Sequence, residues 1–255
     1  MLPKIESLVS SLDEMEADVA CITETWMTTR SDSTCRDVSG RTDYSFIERN
    51  RAGRRGGGVC IMYNRKFIDM TRCKLPDSRF EVVAAIGRRK AQRRKVLIIA
   101  AYLPPNLTAG EDKEFLDQLC DTILVLKNKY NDPYIMLGGD FNKRNLKAAT
   151  RDYPEITPVI TPPTRGTAIL DIIATNMTSS VIEAGVTEPV HTQEGTKSDH
   201  KTVYATFRMP RVPNYELHKY SYIRKNAASL AAYDDFLKAQ DWRGCLLYTS
   251  PSPRD

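Results

Sequence analysis

Five side chains able to do chemistry stand at the ends of apolar stretches in this sequence. Glu24 closes "ACITET", Tyr102 closes "VLIIAAY", Asp140 and Asn142 close "PYIMLGGDFN", and His200, with Asp199 before it, immediately precedes "KTVYATFRM". Strand ends commonly display side chains to a shared crevice. Carboxylates, an amide, a phenol and an imidazole gathered there suit a divalent cation and a phosphate ester, because a hard cation takes oxygen ligands. Each residue alone also has a structural explanation. Glu24 fits a solvated carboxylate after a strand, Asp140 and Asn142 fit an Asx-turn, and His200, one of three histidines, fits a capping or core position. Asp171 is harder to place that way. It interrupts the apolar "ILDIIA", where a buried carboxylate needs a partner and an imidazole is an apt one.

Two arginine-rich stretches compete for any anionic partner. "GRRKAQRRK", Arg88 to Lys95, lies in the turn before "VLIIAAY". A strand of about six residues at roughly 3.3 Å each puts that turn about 20 Å from Tyr102, so it reads as a solvated turn at the far end of the sheet. "RNRAGRRGGG" carries Arg49, Arg51, Arg54 and Arg55 at a glycine-rich tip. It is not a phosphate-cradling Walker loop, since no lysine followed by serine or threonine closes the frame.

The elements that must hold these residues can be read from hydrophobic spacing. Ile5, Leu8, Val9, Leu12 and Met15 repeat at helical intervals ahead of the short strand "ADVACIT". "YSFIERNRAGRRGGGVCIMYN" and "FEVVAAIGRRKAQRRKVLIIAAY" read as two hairpins. Thr108 and Glu111 have capping-box spacing before Phe115, Leu119, Ile123 and Leu126, which predicts a helix over about Glu111 to Tyr130 followed by the strand "PYIMLGG". "TAILDIIAT" and "KTVYATFRM" are later strands. Strands outnumber helices and occur both as hairpins and as strand-helix-strand units, which implies mixed sheets in layers with helices outside. A boundary falls near Met209. Beyond it comes the proline-bearing "PRVPNYELHKY", then a helix capped by Asn226 and carrying Leu230, Tyr233, Phe236 and Leu237. The last stretch, "CLLYTSPSPRD", has no periodicity and resembles translated adapter read-through, so residues 245–255 are set apart from the fold.

Composition bounds the rest. A chain of 255 residues can bury a large core as one domain plus an appendage. No run of about 18 apolar residues and no secretory signature is present, so the sequence supports neither a membrane span nor export. Cys21, Cys60 and Cys120 sit in apolar segments without C-x-x-C spacing, as buried thiols in a reducing compartment do. The sequons at Asn106 and Asn176 then carry no weight. A net charge of +5 permits nucleic-acid binding without implying it.

In combination the motifs are specific. "ETW", "AYLPPN", "GGDFN", "LDIIAT" and "SDH" occur in an order and spacing that resembles the endonuclease/exonuclease/phosphatase superfamily, and in particular the apurinic-type endonuclease domain of non-LTR retrotransposon polyproteins. The resemblance covers Leu2 to Arg208. It implies a four-layered α/β sandwich with two packed mixed β-sheets flanked by helices, and domains at 1–209 (nuclease), 210–244 (linker with a short helix) and 245–255. It implies a Mg²⁺- or Mn²⁺-dependent hydrolase that nicks DNA, acting in the nucleus, with a reverse transcriptase downstream in the polyprotein. By the same resemblance Glu24 binds the metal, with Asp199 beside it as a ligand or through water. Asp140 activates the attacking water, Asn142 orients that water or the phosphate, His200 donates to the phosphate with Asp171 fixing its ring, and Tyr102 contacts the same phosphate. Arg49, Arg51, Arg54, Arg55 and Arg165 are the corresponding DNA contacts. The family carries, before its first helix, a strand with a metal-binding asparagine. Here the chain begins inside that helix, which implies that the first strand is missing, that Met1 is internal to a longer frame, and that the fragment is poorly folded or inactive. Two other readings fit the same motifs: a phosphatase or phosphodiesterase sibling acting on an inositol phosphate or sphingomyelin, and a non-catalytic nucleic-acid-binding remnant.

Overall fold

An uninterrupted apolar run such as "VLIIAAY" needs cover on both faces. In the computed structural model of the protein it receives that cover as β6 (Val96–Tyr102), every residue of which is buried. The structure describes residues 5–27, 32–51, 56–89, 92, 94–142, 150–189, 198–209 and 227–240. The chain divides into two compact units, Met1–Val212 and Pro213–Asp255.

In the first unit the elements run α1 (Ile5–Glu14), β1 (Val19–Thr23), α2 (Asp32–Arg41), β2 (Tyr44–Arg49), β3 (Val59–Asn64), β4 (Ile68–Arg72), β5 (Glu81–Arg89) and β6. Then come α3 (Ala109–Lys129), β7 (Tyr134–Asp140), β8 (Thr157–Pro158), β9 (Asp171–Thr175), a 3₁₀ turn at Thr178–Ser180, β10 (Val181–Thr187) and β11 (Thr202–Phe207). The second unit contains α4 (Ala227–Ala239), with Leu230, Tyr233 and Phe236 exposed.

The principal sheet has six strands in the order β4-β5-β6-β7-β9-β8. It is mixed, because β6 and β7 run parallel and are joined by the crossover helix α3, while the other pairs are antiparallel. Alternation along β6 sorts the core. Leu97, Ile99 and Ala101 face α3, where Phe115, Leu119, Ile123 and Leu126 cover them. Val96, Ile98, Ala100 and Tyr102 face the other way, onto Ile47, Val59, Ile61 and Tyr63 of β2 and β3. Those strands belong to the antiparallel ladder β1-β3-β2, whose outer face carries α1 through Ile5, Val9 and Leu12 packed with Tyr44 and Met62. Helix, sheet, sheet and helix make the four layers of the α/β sandwich. The layer opposite the six-stranded sheet consists of the three-stranded ladder and a separate antiparallel pair, β10-β11. A cavity of about 1300 Å³ has β1 and β11 among its walls, α1 over it, and Ile98, Met136 and Ile172 of the large sheet below.

Local expectations and outcomes differ in instructive places. The helix after Thr108 starts two residues early, at Ala109, because the capping box forms in full: Glu111 N donates to the Thr108 side chain and Thr108 N to the Glu111 carboxylate. "TAILDIIAT" yields a shorter strand that begins only at Asp171, since Arg165 and Ala168 bridge to each other in a tight turn. Met15 lies past the end of α1 and is 40% exposed, so it adds nothing to that helix's apolar stripe. Helix α2, the edge strands β4 and β8, and β10 were not foreseen; α2 is polar and β10 half-exposed, so neither shows a clean period. Asn226 as a cap, the linker at 210–226 and the tail at 245–255 lie outside the described residues.

Candidate active site

One row of the six-stranded sheet assembles half of the site. Glu81 of β5 is the ladder partner of Tyr102, Tyr102 of Asp140, and Asp140 of Asp171. Residues directly opposite in a ladder project to the same side. The parity of β6 makes that side the one facing the three-stranded ladder. Glycines let the strands approach closely below the row. A Cβ on Gly139 (φ +147°) would collide with the Ala101 carbonyl, and one on Gly138 would lie 3.1 Å from Cys21 Sγ of β1.

The other half arrives on turns. Glu24 leaves β1 in a left-handed conformation (φ 50°), and the Tyr102 hydroxyl donates to its Oε1 at 2.5 Å. His200 comes from the segment before β11. Lys201 N donates to Thr164 O at 2.8 Å, and the Thr164 hydroxyl accepts from the amides of Leu170 and Asp171, so one threonine ties the histidine segment to the start of β9. The result is a 2.8 Å contact between His200 Nδ1 and Asp171 Oδ2. Asn142, also left-handed (φ 47°), places its backbone N–H on Asp140 Oδ1 at 2.8 Å and its amide on Leu103 O at 2.7 Å. The Asx-turn reading of "GDFN" therefore holds, and the turn aims the Asp140 carboxylate.

Burial pushes the Asp140 carboxyl up to about 6, against the Asn142 N–H; neighbouring Asp171 and Glu24 raise it further and His200 lowers it. Asp171 holds His200 above its usual range, burial opposing. Burial first, then the hydrogen bond to Glu24, keeps the Tyr102 phenol protonated far above its normal value. Asp140, Asp171 and His200 offer ligand atoms all within 4.8 Å of one another, and Glu24 lines the cavity together with Asp171 and His200.

The basic residues divide. Arg49 donates to the carbonyls of Val82 and Ser78, and burial lowers its pKa, so its guanidinium serves the fold. Arg51 pairs with Glu81 and its guanidinium carbon sits 5.8 Å from the centre of the Tyr102 ring, at the site. Arg165 pairs with Asp199, both half-exposed or more, so Asp199 faces the arginine rather than the Asp140–Asp171–His200 cluster. Arg54 and Arg55 lie outside the described residues. At the far end of β5 and β6, Arg89 pairs with Asp18 and Arg94 with Asp132.

Sequence reasoning passed over Glu81. It is 6% exposed, accepts from Gly58 N as well as from Arg51, and thereby fixes the loop that in turn receives Thr25 N and Trp26 N on the carbonyls of Gly58 and Gly57. Its only trace in the sequence is a carboxylate opening the apolar run "EVVAAI", which does not distinguish it from any other strand-opening acid.

Fold and site together define a layered α/β protein with an acidic, imidazole-bearing crevice at the strand ends, of the kind that handles phosphate esters. The chain belongs to the Endonuclease/Exonuclease/phosphatase family, whose model matches residues 1–209. No curated protein matches the sequence. Among solved structures, the endonuclease domain of TRAS1, a telomere-specific non-LTR retrotransposon, is similar at 15% identity and a TM-score of 0.61, over 80% of this chain and 92% of that one. A humanized D. rerio TDP2 is similar at 16% identity and 0.59, over 81% and 92%. The human Nocturnin catalytic domain with bound sulfate is similar at 14% and 0.57, over 80% and 86%. These likenesses share the fold. No described helix is long and apolar enough to cross a membrane.

Proposed function

We propose that the protein is a divalent-metal-dependent DNA endonuclease that nicks target DNA for retrotransposition, the nuclease unit of a non-LTR retrotransposon polyprotein acting on nuclear DNA alongside a reverse transcriptase. The observation that carries the reading is the row Tyr102–Asp140–Asp171 with His200 locked to its end. The similarity to the TRAS1 endonuclease domain, and to a D. rerio TDP2 complexed with a single-strand DNA product, supports DNA over a small phosphate ester.

In this reading Asp140 takes the proton of the attacking water. A carboxyl raised to about 6 is a stronger base than an ordinary aspartate while still ionised at neutral pH. Asn142 holds Asp140 in place and orients the water. His200 turns its free Nε2 to the phosphate, and its raised pKa keeps it a charged donor as negative charge builds on the oxygens. Asp171 fixes the orientation of the ring. The donor set fits a hard cation: Glu24 is a carboxylate aimed by Tyr102, and Asp140 and Asp171 add oxygen atoms to an already acidic crevice. Asp199 joins them only by leaving Arg165. A bound Mg²⁺ or Mn²⁺ supplies positive charge that polarises the phosphate and steadies the leaving oxygen. Arg51, Arg54, Arg55 and Arg165 bind flanking phosphates.

Conversion of supercoiled plasmid to the open-circular form in Mg²⁺ tests the reading. Cleavage is expected in Mg²⁺, silence in chelator, and a higher Mg²⁺ requirement for Glu24→Gln. Nicking that persists undiminished in chelator would overturn the metal-dependent mechanism.

A further inference from the structure

Tyr102 bonds across the two packed sheets. It ends β6 of the six-stranded sheet and is 5% exposed, whereas Glu24, which accepts from its hydroxyl, follows β1 of the three-stranded ladder and is exposed. Both ends of this bond have a fixed base. The ring is set by its ladder row, with Glu81 on one side and Asp140 on the other, and the Arg51 guanidinium carbon lies 5.8 Å from its centre. Glycine at 57 permits that arrangement, because a Cβ there would collide with the Arg51 guanidinium. The Glu24 backbone is held left-handed, φ 50°, and Thr25 after it is fully buried and donates its N–H to Gly58 O at 3.2 Å. From that base the flexible Glu24 side chain extends to the Tyr102 hydroxyl, which holds Oε1 at 2.5 Å and leaves Oε2 outside the bond. A phenol has one proton to donate. Given to Glu24, it is not available to a phosphate oxygen, which can only accept.

We propose that Tyr102 is a positioning residue for Glu24 rather than a phosphate contact: its hydroxyl presets the carboxylate and thereby sets the affinity of the site for a divalent cation. This deepens the metal-dependent nuclease reading and rests on it. It also departs from the phosphate contact that the family resemblance implies for Tyr102. An exposed glutamate must give up side-chain freedom to hold a ligand, and a side chain immobilised beforehand is worth about two- to tenfold in affinity. The buried phenol does the immobilising. Its own freedom is already lost to the core and the ladder, so the bond orders Glu24 at little further cost. The effect belongs to the oxygen alone, since the ring packs in the same row without it.

The experiment is a cycle between the hydroxyl and the carboxylate. Wild type, Tyr102→Phe, Glu24→Gln and the double variant are compared in three measurements: Mn²⁺ binding without DNA, read by electron paramagnetic resonance; binding of an uncleaved duplex in chelator; and nicking across a Mg²⁺ series. Tyr102→Phe keeps the ring, and Glu24 is exposed, so no buried group is left unpaired and Tm in chelator should stay near that of wild type. Its Mn²⁺ dissociation constant should rise by about two- to tenfold. DNA affinity in chelator should not change. The Mg²⁺ concentration for half-maximal nicking should rise by the same factor as the Mn²⁺ constant, and the lost rate should return as Mg²⁺ saturates. In the Glu24→Gln background the same change should cost nothing further in Mn²⁺ affinity, a coupling that a general loss of stability would not produce. Unchanged or tighter Mn²⁺ binding by Tyr102→Phe, or a loss additive to that of Glu24→Gln, would overturn the positioning role. Weaker DNA binding, or a slower rate that persists at saturating Mg²⁺, would overturn it too and return Tyr102 to the phosphate. Wild type that binds Mn²⁺ but nicks no DNA would overturn the nuclease reading instead, and the Mn²⁺ cycle would still decide the role of Tyr102.

Discussion

The two halves of the crevice are held by different means. Glu81, Tyr102, Asp140 and Asp171 sit on consecutive strands as ladder partners, so their mutual placement is set by backbone hydrogen bonds that buried strands share. Glu24, Trp26, Arg51, Asp199 and His200 stand on turns and depend on a few side-chain anchors: the Glu81 carboxylate under Arg51 and Gly58, and the Thr164 hydroxyl beside Asp171. A ladder position cannot shift without disturbing its neighbours in the sheet, whereas a turn opens locally at much smaller cost. The arrangement suits the proposed nuclease activity, for which the proton-handling groups must be exact and a rim that meets DNA must adapt. Damage to the row should therefore abolish chemistry while sparing binding, and damage to the rim should do the reverse.

Asp140→Asn is expected to have the largest effect. Loss of a positioned base typically lowers rate by about 10² to 10⁴-fold. The same change should stabilise the metal-free protein. The carboxyl is raised from 3.8 to about 6 by burial, so stability present when it is protonated is lost as pH rises through about 6. At pH 7 the ionised form then costs roughly 3 kcal/mol, since each tenfold change in proton affinity is worth about 1.4 kcal/mol. Thermal unfolding in chelator should show the variant more stable than wild type at pH 7 and indistinguishable at pH 3. Equal stability at both pH values would show that Asp140 is well solvated and the row less closed than its burial indicates.

The His200–Asp171 pair joins the two halves, and its variants come next. His200→Ala and Asp171→Ala should each lower nicking by about a hundredfold, and the double variant should be scarcely worse, since the aspartate acts through the ring. The pH profile separates the roles. In the proposed mechanism nicking needs Asp140 ionised and His200 charged, so the acid limb follows Asp140 and the alkaline limb should lie above the usual histidine value because Asp171 raises it. His200→Ala should erase the alkaline limb and keep the acid one. Strict additivity of the two single variants would mean that they act separately despite their 2.8 Å contact.

How much of this was legible follows the same division. Tyr102 and Asp140 close apolar runs and Asp171 interrupts one, and a polar residue in either setting is visible without coordinates. The thick core was equally legible, because β6 and the buried stripe of α3 keep their periods. The anchors were not. Glu81 looks like any strand-opening carboxylate until its ladder row is known, and nothing about Arg49 predicts that it turns back onto Val82 and Ser78 while Arg51, two residues on, reaches the site. Those outcomes depend on which strands lie side by side, and ladder order is a long-range property that hairpin signals do not encode. The left-handed turn at Glu24 was hidden for the same reason: it is held by Gly57 and Gly58, more than thirty residues away.

Glu81 tests whether the row supports the rim. Glu81→Ala strands a guanidinium and a backbone N–H that are now paired, a loss of about 1–3 kcal/mol in stability. If the loop at Gly58 carries Trp26 and Glu24 with it, nicking should drop by roughly tenfold through KM more than kcat, with the Asp140 acid limb unmoved. Glu81→Gln keeps one acceptor and should recover part of both losses. A Glu81→Ala protein that is less stable but nicks with unchanged KM would separate the row from the rim.

The smallest effect concerns the arginines, and it is read from salt rather than rate. A guanidinium that meets a phosphate displaces counterions, so removing one such charge should lower the slope of log K against log salt by about one unit or slightly less. Arg51 lies at the site, and Arg54 and Arg55 follow it closely in the sequence. Arg88 and Arg89 end β5 at the end of the strand away from the row, seven and eight positions from Glu81, and Arg89 already has Asp18. Replacing Arg51, Arg54 and Arg55 together by alanine should flatten the slope for an uncleaved duplex in Ca²⁺ by about two to three units, roughly one for each charge. The same change at Arg88, Arg89 and Arg93 should move it little. Arg51 also tests the division of labour within the trio, since it must shift from Glu81 to reach a phosphate. If Arg51→Ala alone leaves the slope unchanged while Arg54→Ala and Arg55→Ala each lower it, Arg51 belongs with Glu81 as an anchor of the loop. A larger drop in slope from the Arg88 trio would move the DNA face to the other end of the sheet, away from Tyr102 and the whole row.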